Sequence, residues 1–122
     1  VYTDTKWLEF ILNQIINNSI KYKKDIQNSY IQIKATENSN QIALSIKDNG
    51  IGIPKSDISN VFKKSFTGTN GRDKIKSTGM GLYIAKKLCT KLGHKIEIES
   101  EKKEYTIVKI TFGKNKLYHP ED

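Results

Sequence analysis

A single cysteine, Cys89, stands among the 122 residues, so the chain cannot close a disulfide on itself. Seven residues from Leu82 and three from Leu92, it falls on the apolar side of an expected helix, where a buried, inert thiol is the expectation. Long hydrophobic runs are also missing. The apolar stretches are a few residues long, far short of the roughly 20 that a membrane-spanning helix needs, and no charged-then-apolar signal segment opens the chain. A soluble piece is therefore expected. Acidic residues are in short supply: 13 Asp and Glu face 21 Lys and Arg, for a net charge of +8. Such a balance attracts phosphate regardless of sequence. However, the lysines are spread along the chain, few aromatics are interleaved with them, and no nucleic-acid motif is present, so a nucleic-acid partner is not expected. One local concentration stands out between Val61 and Thr78, where Lys63, Lys64, Arg72, Lys74 and Lys76 meet the single acid Asp73.

What is present suits one compact domain, since 36% apolar residues suffice for a core at this size. Helical spacing runs from about Asp4, a suitable N-cap, to Lys24, with Leu8, Ile11, Leu12, Ile15 and Ile16 on one broad face. Two alternating runs follow, Tyr30 to Glu37 and Gln41 to Asp48, and Asn38-Ser39-Asn40 supplies turn chemistry for a hairpin between them. A short helix is expected from Lys55 to Val61, just after Pro54. Phe62 to Thr78 has no periodicity and reads as a long mobile loop, a feature that is often functional. A second strong helix spans Gly81 to Leu92 and stops at Gly93. Two further strands, Lys95 to Glu101 and Glu104 to Phe112, close an α+β layer with helices on one sheet face. Residues 1–113 form the expected domain, and the tail 114–122 is expected to be disordered. No internal repeat is present.

Three constellations carry chemistry. On the first helix Gln14, Asn18 and Lys21 are spaced four and three apart and share one stripe beside the apolar face. An amide oxygen at Asn18 can join Mg²⁺ coordination alongside phosphates and waters, and Lys21, one turn on, can meet a phosphate as a compact charge. The second is Asp48-Asn49-Gly50-Ile51-Gly52-Ile53. Asp48 continues the even register of Ile42, Leu44 and Ile46, so its carboxylate points to the core side and needs donors there. An adenine amino group with a hydroxyl or a water would supply them, while Gly50 and Gly52 allow close backbone approach to a flat ring. An ordinary Asn-Gly hairpin turn is the competing reading, but Pro54 and a helix follow instead of a returning strand. The third is Ser77-Thr78-Gly79-Met80-Gly81-Leu82 at the start of a helix, where freed backbone N–H groups can receive a polyphosphate. A Gly-x-Gly alone is weak evidence; the three in this order are strong.

With these residues in place the chain resembles the catalytic domain of sensor histidine kinases, part of a larger superfamily of ATP-binding proteins. Asn17 to Tyr22 is similar to the family's N box, Asp48 to Gly52 to its first glycine box, Phe62 to Phe66 to its F box and Thr78 to Leu82 to its second glycine box. Trp7-Leu8, Phe66-Thr67-Gly68 with Asn70-Gly71-Arg72, and Met80 are similar to kinases of Gram-positive bacteria that sense envelope stress and peptide antibiotics. The resemblance implies a Bergerat-type two-layer α/β sandwich, a mixed sheet of about five strands under three helices, with Phe62 to Thr78 as a lid over ATP. It implies Mg²⁺ at Asn18, phosphates and ribose at Lys21 and Tyr22, and the adenine amine at Asp48. Gly50, Gly52 and Ile53 would flank the base, with Thr106 in support. Arg72, Thr78, Gly79, Met80, Gly81 and Leu82 would lie on the phosphate side.

The implied reaction moves the γ-phosphoryl of Mg·ATP to a histidine on a separate dimerisation and acceptor domain, with a response regulator downstream. The fragment itself is expected to be a monomer at the cytoplasmic face of the membrane, reached only through a missing N-terminal part. Gln14 stands where the family often has Asn and where related ATPases have a catalytic Glu. An amide cannot accept a proton near neutral pH, which disfavours the runner-up enzyme, an ATPase of the same superfamily; a nucleotide-binding module without transfer stands as the alternative from another class. Gly68 replaces a lid Arg common in the family, so Arg72, Lys74 or Lys76 must serve. His94, after a helix-ending glycine, and His119, in the polar tail, lack the context of an acceptor.

Overall fold

The computed structural model describes residues 4–38, 41–64 and 81–113. Helix α1 (Thr5–Lys21) starts where Asp4 accepts a hydrogen bond from Trp7 N–H at 2.8 Å. It ends three residues earlier than the spacing suggests, because Tyr22 turns out of helical geometry and gives its carbonyl to Ile51 N–H at 3.0 Å. A tertiary partner has displaced the next intrahelical bond.

Strands β1 (Ile31–Glu37), β2 (Ile42–Asp48), β3 (Lys95–Glu101) and β4 (Tyr105–Phe112) form a sheet in the order β1-β2-β4-β3. Every pairing in it is antiparallel. Among the described residues there are thus four strands rather than about five, and none is parallel, which corrects the expectation of a mixed sheet. The connection from β3 to β4 is a tight turn, with Glu104 N–H bonded to Glu101 O at 2.9 Å, and so short a link joins only antiparallel strands.

Helix α2 (Lys55–Ile58) is shorter than expected. After it, Asn60 N–H bonds to Asp57 O and Lys63 N–H to Asn60 O, both at 2.9 Å. These are three-residue turns, which suit Ser59 and Asn60 better than a continued α-helix. Helix α3 (Gly81–Lys91) ends in a Schellman motif. Gly93 is left-handed at φ 78, its N–H bonds to Thr90 O, and His94 N–H reaches Cys89 O at 2.8 Å.

Residues opposite one another in an antiparallel pair share a face, so the register defines rows across the sheet. Leu44, Ile110 and Ile96 form one row, and Ile46, Val108 and Ile98 the next. Helices α1 and α3 close over these rows with Ile11, Ile15, Ala85 and Cys89, joined by Leu92 just past the end of α3, all buried. Cys89 is fully inside, and burial raises its thiol to about 11, as an inert core cysteine requires. In β1 the alternation of Ile31, Ile33 and Ala35 does lie on the core-side face, opposite Asp48, Ile46 and Leu44. Yet β1 is exposed along its whole length, because it is the sheet edge and the described helices pack over the other strands.

Candidate functional site

One row further along, the apolar pattern breaks. Asp48 in β2 pairs with Thr106 in β4, and Thr106 pairs with Ser100 in β3. Three polar residues therefore stand side by side on the core face, at the end of the sheet. The even register read from the sequence for Asp48 holds: it is 8% exposed, beside fully covered Ile46. Its donors come from two directions. Ser19 Oγ–H donates to Oδ2 at 2.8 Å and Gly50 N–H to Oδ1 at 2.9 Å. Burial pushes the Asp48 carboxyl above the usual range, while the Gly50 and Ser19 bonds pull the other way. Each oxygen keeps a second lone pair for a further donor.

Ser19 was not among the residues expected in the site. It extends the series Ile11, Ile15, Ser19, all buried, and a small hydroxyl at the third place of a four-residue apolar repeat was the signal that could have found it. Ser100 was missed as well, although it continues the even register of Ile96 and Ile98. Its hydroxyl donates to Tyr105 O at 2.6 Å, receives Ile53 N–H at 2.8 Å, and lies 2.9 Å from Thr106 Oγ1.

The segment between Asp48 and α2 is fastened on both sides. Ile51 N–H bonds to Tyr22 O at 3.0 Å, and Lys103 N–H to Ile51 O at 2.6 Å. Gly52 is left-handed at φ 71, and a side chain there would run into the backbone of Glu101. A side chain at Gly50 would come within 2.6 Å of Tyr22 O. Both glycines are thus demanded by backbone approach, one to α1 and one to the β3–β4 turn. Asn49 faces the other way, accepting from Tyr30 N–H and donating to Asn28 O, both at 2.9 Å.

On α1, Gln14, Asn18, Lys21 and Tyr22 are all half-buried, as a stripe at the margin of the core should be. Gln14 reaches the start of α3, where its side-chain oxygen lies against the α-carbon of Gly81; Leu82 follows in the first turn of α3. The stripe therefore meets Gly81 at the start of α3, while Ser19 on the adjoining face holds Asp48. Lys21 Nζ lies 6.0 Å from the Tyr22 ring, and burial raises the Tyr22 phenol. Phe62 packs against the core and under Lys86 Nζ, 5.1 Å from its ring. Arg72, Thr78, Gly79, Met80, the remainder of the expected lid, and the tail with His119 lie outside the described residues. His94 is a structural residue: it is buried, its ring meets Phe112 edge-on, and its Nδ1 receives Gly113 N–H at 3.3 Å.

No group of three or more His, Cys, Asp or Glu able to cage a metal occurs among the described residues. Asn18 offers an amide oxygen on the half-buried stripe.

The family described as histidine kinase-, DNA gyrase B-, and HSP90-like ATPase matches residues 3–116. Among curated proteins, the sensor protein BceS of Bacillus subtilis is 41% identical over 112 residues, covering 92% of this chain and 33% of its own. The sensor histidine kinase YxdK of the same organism is 38% identical, with coverage of 92% and 34%. The sensor protein kinase GraS of Staphylococcus aureus is likewise 38% identical, with 92% and 32%. The chain spans about a third of the length of these relatives. Of solved structures, the mycobacterial sensor histidine kinase MprB superposes with a TM-score of 0.80 at 21% identity, over 92% of this chain and 75% of that one. The Acinetobacter baumannii histidine kinase AdeS gives 0.70 at 26%, over 94% and 49%.

Proposed function

The chain belongs to the family of histidine kinase-, DNA gyrase B- and HSP90-like ATPases, and we propose that it is the ATP-binding catalytic unit, residues 1–113, of a sensor histidine kinase. The observation that carries this reading is the buried Asp48 carboxylate, held by Ser19 and Gly50 with lone pairs to spare, in one polar row with Thr106. An acceptor-only group at the end of an apolar sheet suits the exocyclic amine of adenine, with Gly50, Gly52 and Ile53 giving a flat ring backbone to lie against. From there α1 leads along Tyr22, Lys21, Asn18 and Gln14 toward Gly81 and Leu82, a path fit for ribose and then phosphates. Arg72, Thr78, Gly79 and Met80 are assigned to the phosphate end, where the surrounding lysines would add charge.

Mg²⁺, held through Asn18, would neutralise phosphate charge. The chain's own groups bind and orient the nucleotide, which is most of what phosphoryl transfer asks of a protein. The acceptor's neutral imidazole nitrogen gives its lone pair to the γ-phosphorus, the bond from that phosphorus to the β–γ bridging oxygen breaks, and ADP leaves with the electron pair. Gln14 cannot take a proton from water, which favours transfer over hydrolysis. The acceptor histidine belongs to a dimerisation domain of the same full-length protein, a response regulator takes the phosphoryl group next, and the reaction occurs at the cytoplasmic face of the membrane.

Incubation with γ-labelled ATP tests this. The chain alone should gain no stable label and release little phosphate, whereas adding the separately made acceptor domain should label that domain's histidine, weakly for want of a tether. Stable label on His94 or His119, or brisk hydrolysis without a partner, would overturn the assignment.

A further inference from the structure

The hydrogen-bond stoichiometry around Ser100 determines which way a proton points at the site, and this deepens the adenine reading on which it rests. Ser100 carries one hydroxyl hydrogen. A backbone carbonyl can only accept, so at 2.6 Å from Tyr105 O that hydrogen is committed to the carbonyl. A backbone N–H can only donate, so Ile53 N–H at 2.8 Å occupies one Ser100 lone pair. The contact with Thr106 Oγ1 at 2.9 Å then has a single consistent direction: Thr106 is the donor and Ser100 the acceptor. The Thr106 hydrogen is turned toward β3, and the oxygen has only lone pairs left to offer. Its neighbour in the same row toward β2 is Asp48, whose ionised carboxylate is likewise acceptor-only.

We propose that Ser100 is a positioning residue for purine specificity: by taking the Thr106 hydrogen, it makes the Asp48–Thr106 pair an acceptor-only surface. A purine with an amino group at carbon 6 presents N–H donors to that surface. A purine with a carbonyl there sets an acceptor against others at carbon 6, and its one donor on that edge, N1–H, lies an atom away from the place that the amine fills. Without the Ser100 hydroxyl, Thr106 is free to rotate its hydrogen toward the base, and the penalty on a 6-oxo purine falls. Ser100 acts through Thr106 and touches no reacting atom.

The test is titration of the whole 122-residue chain with Mg·ADP and with Mg·IDP, which differ at carbon 6 as amine and carbonyl, using the ratio of the two affinities as the readout. The wild type should prefer ADP. Ser100→Ala should narrow that preference by roughly three- to ten-fold, about the size of one neutral hydrogen bond, through a gain for IDP that misfolding cannot produce. Ser100→Thr, which keeps a hydroxyl, should retain the wild-type ratio. The gain should vanish in Ser100→Ala/Thr106→Val, where no rotatable hydroxyl remains. If Ser100→Ala does not fold, Ser100→Cys, close in size and a weak hydrogen-bonding group, gives the same comparison. A wild-type preference for ADP that is unaltered by either substitution, or a gain for IDP that survives in the double variant, overturns the role of Ser100 alone. A wild type that binds neither nucleotide, or both equally, overturns the adenine reading and this inference with it.

Discussion

Ser19 and Asp48, 29 residues apart in the chain, meet at 2.8 Å inside the protein, with the serine donating. The carboxylate they bury is raised chiefly by desolvation. For an acid raised on folding, the contribution to stability is fully present below the unfolded value of 3.8 and is lost as pH rises through the folded value. At neutral pH, then, ionised Asp48 is a cost to the empty protein. Asp48→Asn removes that cost, since Asn can still accept from Gly50 and donate to a rotated Ser19 hydroxyl. Thermal unfolding at pH 7 should show stability equal to or above wild type, while calorimetric titration shows ADP affinity reduced by about ten-fold or more, because a donor now faces the adenine amine. Retained affinity would remove Asp48 from the site.

Asn18→Ala should act through the metal. The gain in ATP affinity that Mg²⁺ brings should largely disappear, with adenosine binding nearly intact, since α1 keeps its core face and Ala is a good helix former. Titrations with and without Mg²⁺ check this, and an unchanged dependence on the metal would rule out Asn18 as its ligand.

Burial lowers the pKa of His94, against a raising contribution from the Gly93 backbone. A base lowered on folding gives stability that is present above its unfolded value of 6.5 and lost as pH falls through the folded value. Urea unfolding at pH 7.5 and at pH 5 should therefore show wild type losing stability on acidification. His94→Gln, which does not titrate, should lose less over the same interval. Equal losses would mean that His94 titrates alike in the folded and the unfolded chain.

Gly52→Ala should be destabilising, by about 1–2 kcal/mol for the left-handed backbone alone and more because the new methyl group meets the backbone of Glu101. Denaturant melts give the size of the loss. An effect below about 0.5 kcal/mol, the range of an ordinary surface change, would show that the turn can relax.

Much of this was legible before any coordinates. The even register of Ile42, Leu44, Ile46 and Asp48 announced a carboxylate on the core face because strand periodicity leaves no other choice. Gly93 announced the end of α3, and Asp4 its counterpart at the start of α1. What the sequence did not reveal depends on meetings between distant segments. Tyr22 ends α1 early because Ile51, far along the chain, takes its carbonyl. Ser19 and Ser100 are small hydroxyl residues within apolar repeats, and nothing local says that one will hold Asp48 and the other Thr106. The strand count and the parallel strand came from family resemblance rather than from any spacing, and the described sheet does not contain them.

The edge strand has a consequence for the isolated domain in concentrated solution. β1 runs from Ile31 to Glu37 with its only described partner on one side, so its other side is a template onto which a second copy could add and begin aggregation. Its middle residue is Lys34. Two copies laid antiparallel in matched register would set Lys34 directly against Lys34, and like charges placed opposite each other weaken such a pairing. One ammonium group at the midpoint thus weighs against pairing of the described strand with its own duplicate.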